Sequence, residues 1–162
     1  KARPDVHFVF VGSTEKGEFE TAVEAMHNCH VVGWKGFGEV APYLYAADVV
    51  IIPPTLAPLK KIGNTVLPIK LYSYIASGRA IYAPDAPDTA EILKHDINAW
   101  LVTPDDEADE LAGFNALIDN DELIDRLSAA AAEDAKKLTW DARAACVVEF
   151  MKARLKVYAH SK

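Results

Sequence analysis

Small polar residues and lysines gather around one expected helix start. The strand-like run Asp48-Val-Val-Ile-Ile52 gives way to a turn-rich, basic segment, residues 53–66, and then to Leu67-Pro-Ile-Lys-Leu-Tyr-Ser-Tyr-Ile-Ala-Ser-Gly78. Pro68 suits a first helical turn, where its missing N–H is no loss, and Gly78 suits the left-handed residue after a last turn. The spacing predicts a helix over 68–77. Free N–H groups and the positive dipole end at such a start favour an anion. Pro53, Asn64, Thr65 and Leu67 lie between the strand and the first turn, Lys70 lies within that turn, and Ser73 follows on the same face. A phosphate would be held there, with Lys70 adding a full charge to the dipole. Lys60 and Lys61 read as solvated surface charges, and the rings of Tyr72 and Tyr74 as core packing.

Two further loops follow strand-like runs. Gly12-Ser-Thr-Glu-Lys-Gly17 closes His7-Phe-Val-Phe-Val-Gly12 and reads as an ordinary strand-to-helix turn that is able to approach a ligand. Gly33-Trp-Lys-Gly-Phe-Gly38 sets aromatics among glycines, either to meet a flat base or to let Trp34 cap the core. Asp119-Asn-Asp121 reads as helix caps at a helix-to-helix turn. His27, Cys29 and His30 straddle a helix end and a strand start and do not share a metal easily. Gly-x-Gly-x-x-Gly, Walker and Gly-x-Ser-x-Gly patterns are absent from the sequence.

The elements that must position these residues alternate. Continuous apolar runs at 7–12, 29–33, 47–52, 79–83 and 99–102 have the grammar of strands buried on both faces of a parallel sheet. Helical spacing over 18–26 and 39–46, the 68–77 helix and a short one near 89–94 supply the crossovers. After Pro104, helices over 107–118, 121–137 and 139–159 finish the chain. The predicted fold is α/β, a doubly wound parallel, Rossmann-like sheet with a helical C-terminal end. Ligands then belong beyond the carboxyl ends of the strands, at the loops after Gly12, Gly33, Ile52 and Ala83.

At 162 residues and 51% hydrophobic content, the chain has the size of one domain with one large core. Its formal charge of −7 argues against a nucleic-acid surface and makes any anion site local. Cys29 and Cys146, far apart in sequence, read as buried or idle thiols in a reducing compartment. The opening Lys1-Ala-Arg-Pro-Asp5, running into a strand without an initiator methionine, suggests a piece of a longer chain.

The stretch 67–81, preceded by Tyr43-Leu-Tyr-Ala-Ala-Asp-Val-Val-Ile-Ile-Pro53, resembles the C-terminal, donor-binding domain of GT-B glycosyltransferases, especially the large group 1 (family 4-like) set. Asn98-Ala-Trp-Leu-Val102, Pro104-Asp-Asp106 and Leu138-Thr-Trp-Asp-Ala-Arg143 resemble that family's last strand and closing helix. The resemblance implies transfer of a sugar from a UDP- or GDP-sugar to a glycan, lipid or other acceptor. It also implies an N-terminal acceptor domain outside this chain. The nucleotide-sugar would be substrate, with no cofactor and no metal required. By resemblance, the Gly33-Trp34 loop faces the base, Lys70 the diphosphate as the catalytic charge, and Ser73 the ribose. Gly12, Pro53, Asn64, Thr65 and Leu67 complete the candidate donor set. Many members carry two glutamates with seven residues between them, and those places fall here at Thr65 and Ser73. A carboxylate accepts from both ribose hydroxyls, whereas a serine offers one short hydroxyl. The chain therefore holds a donor mainly by phosphate and base, or has lost donor affinity. A cytoplasmic location, peripheral at the inner membrane through the rest of the enzyme, comes from the resemblance alone. Two other readings stay open, a sugar-nucleotide 2-epimerase-like domain and a non-catalytic or regulatory α/β module.

Overall fold

Apolar runs of three to six residues become strands here, and the glycines and prolines between them set where each ends. A computed structural model describes residues 3–15, 17–63 and 67–160. Contacts divide the chain into two compact units, Lys1–Ala46 and Ala47–Lys162.

The first unit is a β-α-β-α run. β1 (Phe8–Ser13) and β2 (Cys29–Gly33) pair in parallel, with Phe8 opposite Cys29 and Val11 opposite Val32. The register slips between Val11 and Ser13, where Gly12 takes φ 109°, a backbone that side-chain-bearing residues rarely adopt. α1 (Glu18–Glu24) and α2 (Phe37–Ala46) follow their strands. Each helix is fixed at its start by its own glutamate. Glu20 accepts from the Gly17 N–H at 3.0 Å, and Glu39 from the Gly36 N–H at 2.9 Å. Buried Asn28 donates to the Arg3 and Val6 carbonyls at 3.0 and 2.7 Å, tying the segment before β1 to the start of β2. Burial on both faces fails for β1: Val9 is 51% exposed and Phe10 37%.

The second unit carries the main core. β3 (Val49–Ile51), β4 (Ala80–Pro84) and β5 (Trp100–Val102) form a parallel sheet in the order β3-β4-β5, and every residue of the central strand is buried. α3 (Ala57–Ile62) and α4 (Lys70–Ser77) lie between β3 and β4; α5 (Glu107–Ile118), α6 (Asp121–Ala135) and α7 (Trp140–His160) follow the sheet. Ala80, Tyr82, Val102, Leu117 and Leu127 form a buried cluster with Phe114, Leu123 and Ile124 packed on it. α5 approaches β5 so closely that a Cβ on Gly113 would meet Val102 Cγ1 at 2.5 Å.

Three local expectations shift. The 53–66 segment is not all loop, since α3 forms within it once Thr55 Oγ1 accepts from the Ala57 N–H at 3.1 Å. The helix expected over 68–77 begins at Lys70: Ile69 is its cap, and Pro68 sits one residue earlier, accepting from the Leu71 N–H at 2.9 Å. Its end is as read, with Gly78 at φ 63° and within 3.2 Å of Ala132 for an added Cβ. No helix forms near 89–94. Thr89 turns its hydroxyl onto the Pro84 and Ala86 carbonyls, and Asn98 Oδ1 takes the Lys94 N–H at 2.7 Å, so the turns cannot propagate. The closing helices follow the sequence pattern closely. Asn120 caps α6 through the Leu123 N–H at 3.0 Å and Thr139 caps α7 through the Ala142 N–H at 3.2 Å. Cys29 is half-buried and Cys146 exposed, both as free thiols, so neither is a core residue.

Candidate functional site

The carboxyl edge of the β3-β4-β5 sheet is where the second unit brings its candidates. Pro53 follows β3 directly and is exposed. Ile52 extends the ladder by donating to the Tyr82 carbonyl at 2.9 Å, so the chain leaves the sheet only at the proline. Asn64 and Thr65 lie outside the described residues. Leu67 is half-buried before α4, Lys70 opens the helix and is exposed, and Ser73 is half-buried within it. Leu71 and Ile75, one turn apart, are buried, and this apolar stripe fixes α4 on the unit and leaves Lys70 on the free side. Tyr74 is partly buried, and that burial pushes its phenol up, whereas Tyr72 is exposed and does not pack in the core.

Lys60 is a surface charge, 70% exposed, and it has a partner. Its ammonium lies 3.0 Å from Asp105 Oδ2, and the same carboxylate accepts from Thr55 Oγ1 at 2.6 Å and from the Leu56 N–H at 3.4 Å. The hydrogen bond from Thr55, then that from Lys60, holds the Asp105 carboxyl below its ordinary value. Lys61, on α3, is exposed. The sequence reading missed Asp105 as a contact residue. Its one signal was Pro104-Asp-Asp106, two acids after a strand; Asp106 is the N-cap of α5, accepting from the Ala108 and Asp109 N–H groups at 3.1 Å each.

In the first unit, Gly12 lines an open depression of about 370 Å³ with Ser13, Thr14, Glu15, Gly17 and Glu20. Two donors of this loop are already used. Glu20 takes the Gly17 N–H and, at 2.7 Å, the Ser13 hydroxyl, and the Ser13 bond foremost lowers its pKa. A fixed carboxylate with Glu15 beside it repels a second anion, so this turn is built from within. Gly33 ends β2, and Trp34 after it is 68% exposed, so the ring does not cap the core. Phe37 at the start of α2 is more exposed still. Among the described residues no group of three or more metal-ligating side chains occurs, and no helix is long and apolar enough to cross a membrane.

Parallel strands joined by helical crossovers, with candidate residues at the carboxyl edge, define a Rossmann-like α/β protein of the GT-B half type. The sequence model of the family described as Glycosyl transferases group 1 matches residues 1–120, and the chain belongs to that family. Solved structures agree in fold. Alr3699/HepE from Anabaena, in complex with UDP, superposes with a TM-score of 0.72 at 16% identity, over 93% of this chain and 42% of that one. Sucrose-phosphate synthase from Thermosynechococcus elongatus gives 0.69 at 15% identity, over 94% and 38%. The C-terminal domain of the group 1 protein LpcC from Francisella tularensis gives 0.59 at 18% identity, over 75% and 60%. The chain thus spans about two fifths of HepE and of the synthase. No curated protein matches it.

Proposed function

We propose that this chain is the donor-binding part of a glycosyltransferase that moves a sugar from a UDP- or GDP-sugar to a glycan, lipid or other acceptor. Lys70 carries the reading. It is exposed at the first position of α4, a helix fixed from below by buried Leu71 and Ile75. A departing nucleoside diphosphate gathers negative charge, and a cation at a helix N-terminus stabilises that charge more in the transition state than in the ground state. Lys70 and the dipole meet the charge in this proposal, and no metal is required. Exposed Trp34, in the first unit, is proposed for the base. HepE was solved with UDP and with UDP-glucose, which makes uridine the first base to try. The acceptor would be held by an N-terminal domain outside this sequence, at a cytoplasmic, inner-membrane-facing location.

Thr65 and Ser73, standing where many family members have carboxylates, favour a second reading, a domain that has lost donor affinity and serves in assembly. One titration separates the two. The chain and its Lys70→Ala variant are titrated by calorimetry with UDP, GDP and their common sugar conjugates. Binding of one nucleotide, weakened by about 1–3 kcal/mol in the variant, is expected for the loss of a charged hydrogen bond. An affinity that Lys70→Ala leaves unchanged would remove the lysine from the site, and no binding at all would favour the second reading.

A further inference from the structure

Asp96 and Asp105 are the two described non-glycine residues in the left-handed region, at φ 58° and 62°, and they bracket β5. That backbone costs a side-chain-bearing residue about 1 kcal/mol or more, so something must hold each in place. Asp96, on the amino side of the strand, is held by Arg126 of α6, which donates to its carbonyl at 2.6 Å and pairs with its carboxylate. Asp105, on the carboxyl side, is held to the chain leaving β3. Its N–H donates to the Pro54 carbonyl at 3.0 Å, and its carboxylate gathers Thr55 Oγ1, the Leu56 N–H and the Lys60 ammonium. Thr55 Oγ1 in turn accepts from the Ala57 N–H. A six-residue helix such as α3 has no stability of its own, because nucleation outweighs so few bonds. Its order therefore depends on this clasp. The Asp96 clasp is at the edge away from the ligand side of a parallel sheet, and the Asp105 clasp at the edge where ligands bind.

We propose that Asp105 is a positioning residue for the donor site: from the end of β5 it orders residues 54–62, the chain that follows Pro53 at the carboxyl edge of the sheet. The inference rests on the reading of this edge as a nucleoside diphosphate site. Asp105→Gly keeps the left-handed backbone and the N–H bond to Pro54, and removes the carboxylate that gathers Thr55, Leu56 and Lys60. Asp105→Asn keeps the backbone and an acceptor for Thr55, and removes the charge that holds Lys60. Asp96→Gly is the control, removing the carboxylate that pairs with Arg126 at the other edge while the carbonyl bond remains.

UDP and GDP affinity by calorimetry and segment-resolved hydrogen exchange are measured on all four chains. For the nucleotide that binds, Asp105→Gly is expected to weaken affinity about tenfold and Asp105→Asn about threefold, while Asp96→Gly stays within about twofold. Exchange should quicken at 55–62 in the Asp105 variants and at 94–98 in the control. Affinity within about twofold of the parent in Asp105→Gly, or an equal loss in Asp96→Gly, overturns the proposal. If Asp105→Gly fails to fold, Asp105→Asn decides by the same criteria. Absence of nucleotide binding by the parent would sink the donor reading instead. Exchange alone would then judge the clasp, unchanged protection at 55–62 overturning it and a confined increase supporting it.

Discussion

The two units use parallel strands in opposite ways. In the second, β4 is covered on both faces, and Leu71, Leu117 and Leu127 are wholly removed from water. In the first, Val23 is the only buried apolar side chain among the described residues, and β1 is at most half-buried along its length. A two-stranded pair has too little surface to make a core, whereas a third strand gives the central one a neighbour on each side. The first unit relies more on polar fastening, with Glu20 and Glu39 each closing a turn and Asn28 tying the segment before β1 to the start of β2. The difference teaches that apolar sequence alone does not determine burial; strand count and cover do.

The largest test of that contrast is a pair of truncations. Leu127→Ala, at a fully buried position, is expected to cost about 2–5 kcal/mol in urea unfolding, because the lost transfer energy adds to an unfilled cavity. Val9→Ala removes apolar atoms from a half-exposed strand and is expected to stay within about 0.5 kcal/mol. Comparable losses from both would show that the first unit has a core after all. Next comes Gly113→Ala. The added Cβ falls 2.5 Å from Val102 Cγ1 and 3.1 Å from Trp100 Nε1, so α5 must move off β5 at a cost of about 1–3 kcal/mol. Gly38→Ala, whose Cβ would meet nothing within 4 Å, is the matching change in the first unit and should leave the melting temperature nearly unchanged.

Asparagines sharpen the comparison at smaller scale. Asn98 is buried, accepts from the Lys94 N–H and donates to the Ile92 carbonyl and Asp134 at 3.0 and 2.9 Å. Asn98→Ala should cost about 2 kcal/mol of global stability, since buried partners lose their bonds. Asn28→Ala breaks two bonds of similar length, yet its partners belong to the segment before β1. Its effect should appear as faster hydrogen exchange at 3–8 with little change in the unfolding of the second unit. Exchange that quickens equally in both units would mean that they open together.

Much of this was legible in the sequence. Continuous apolar runs gave five strands within a residue or two, and the periodic Ala-Leu-Glu-Lys segments gave α5 to α7 nearly to their ends. Those signals are local, set by side-chain period and by caps such as Asn120. Burial of β1, the existence of α3 and the clasp at Asp105 were not legible, because each depends on a partner far along the chain. Thr55 and Asp105 are 50 residues apart, and nothing in either neighbourhood names the other. Of the candidate residues, Lys60 is the surface charge that its sequence suggests, but its pairing with Asp105 was not legible because the partner is non-local. The Pro68 helix start failed by two residues for a local reason, the cap at Ile69.

The smallest effect concerns a tyrosine. Tyr82 is buried in the central strand, and its hydroxyl donates to the Glu110 carbonyl at 2.7 Å. Burial first, then the nearby Glu110 and Asp109 carboxylates, pushes its pKa up from 10.0 to about 12. The neutral phenol is therefore the form that the folded state favours. Its contribution is fully present below the unfolded value near 10 and is lost as pH rises toward about 12, where the unfolded chain ionises first. At neutral pH, Tyr82→Phe should cost only about 1 kcal/mol, the net worth of one hydrogen bond. Above pH 10 the variant should lose stability less steeply than the parent. Urea unfolding curves at pH 8 to 11, read from exchange in β4, make the comparison. Equal slopes for the two chains would place the alkaline sensitivity elsewhere and would leave the Tyr82 ring as packing against Phe114 alone, at a centroid distance of 5.7 Å.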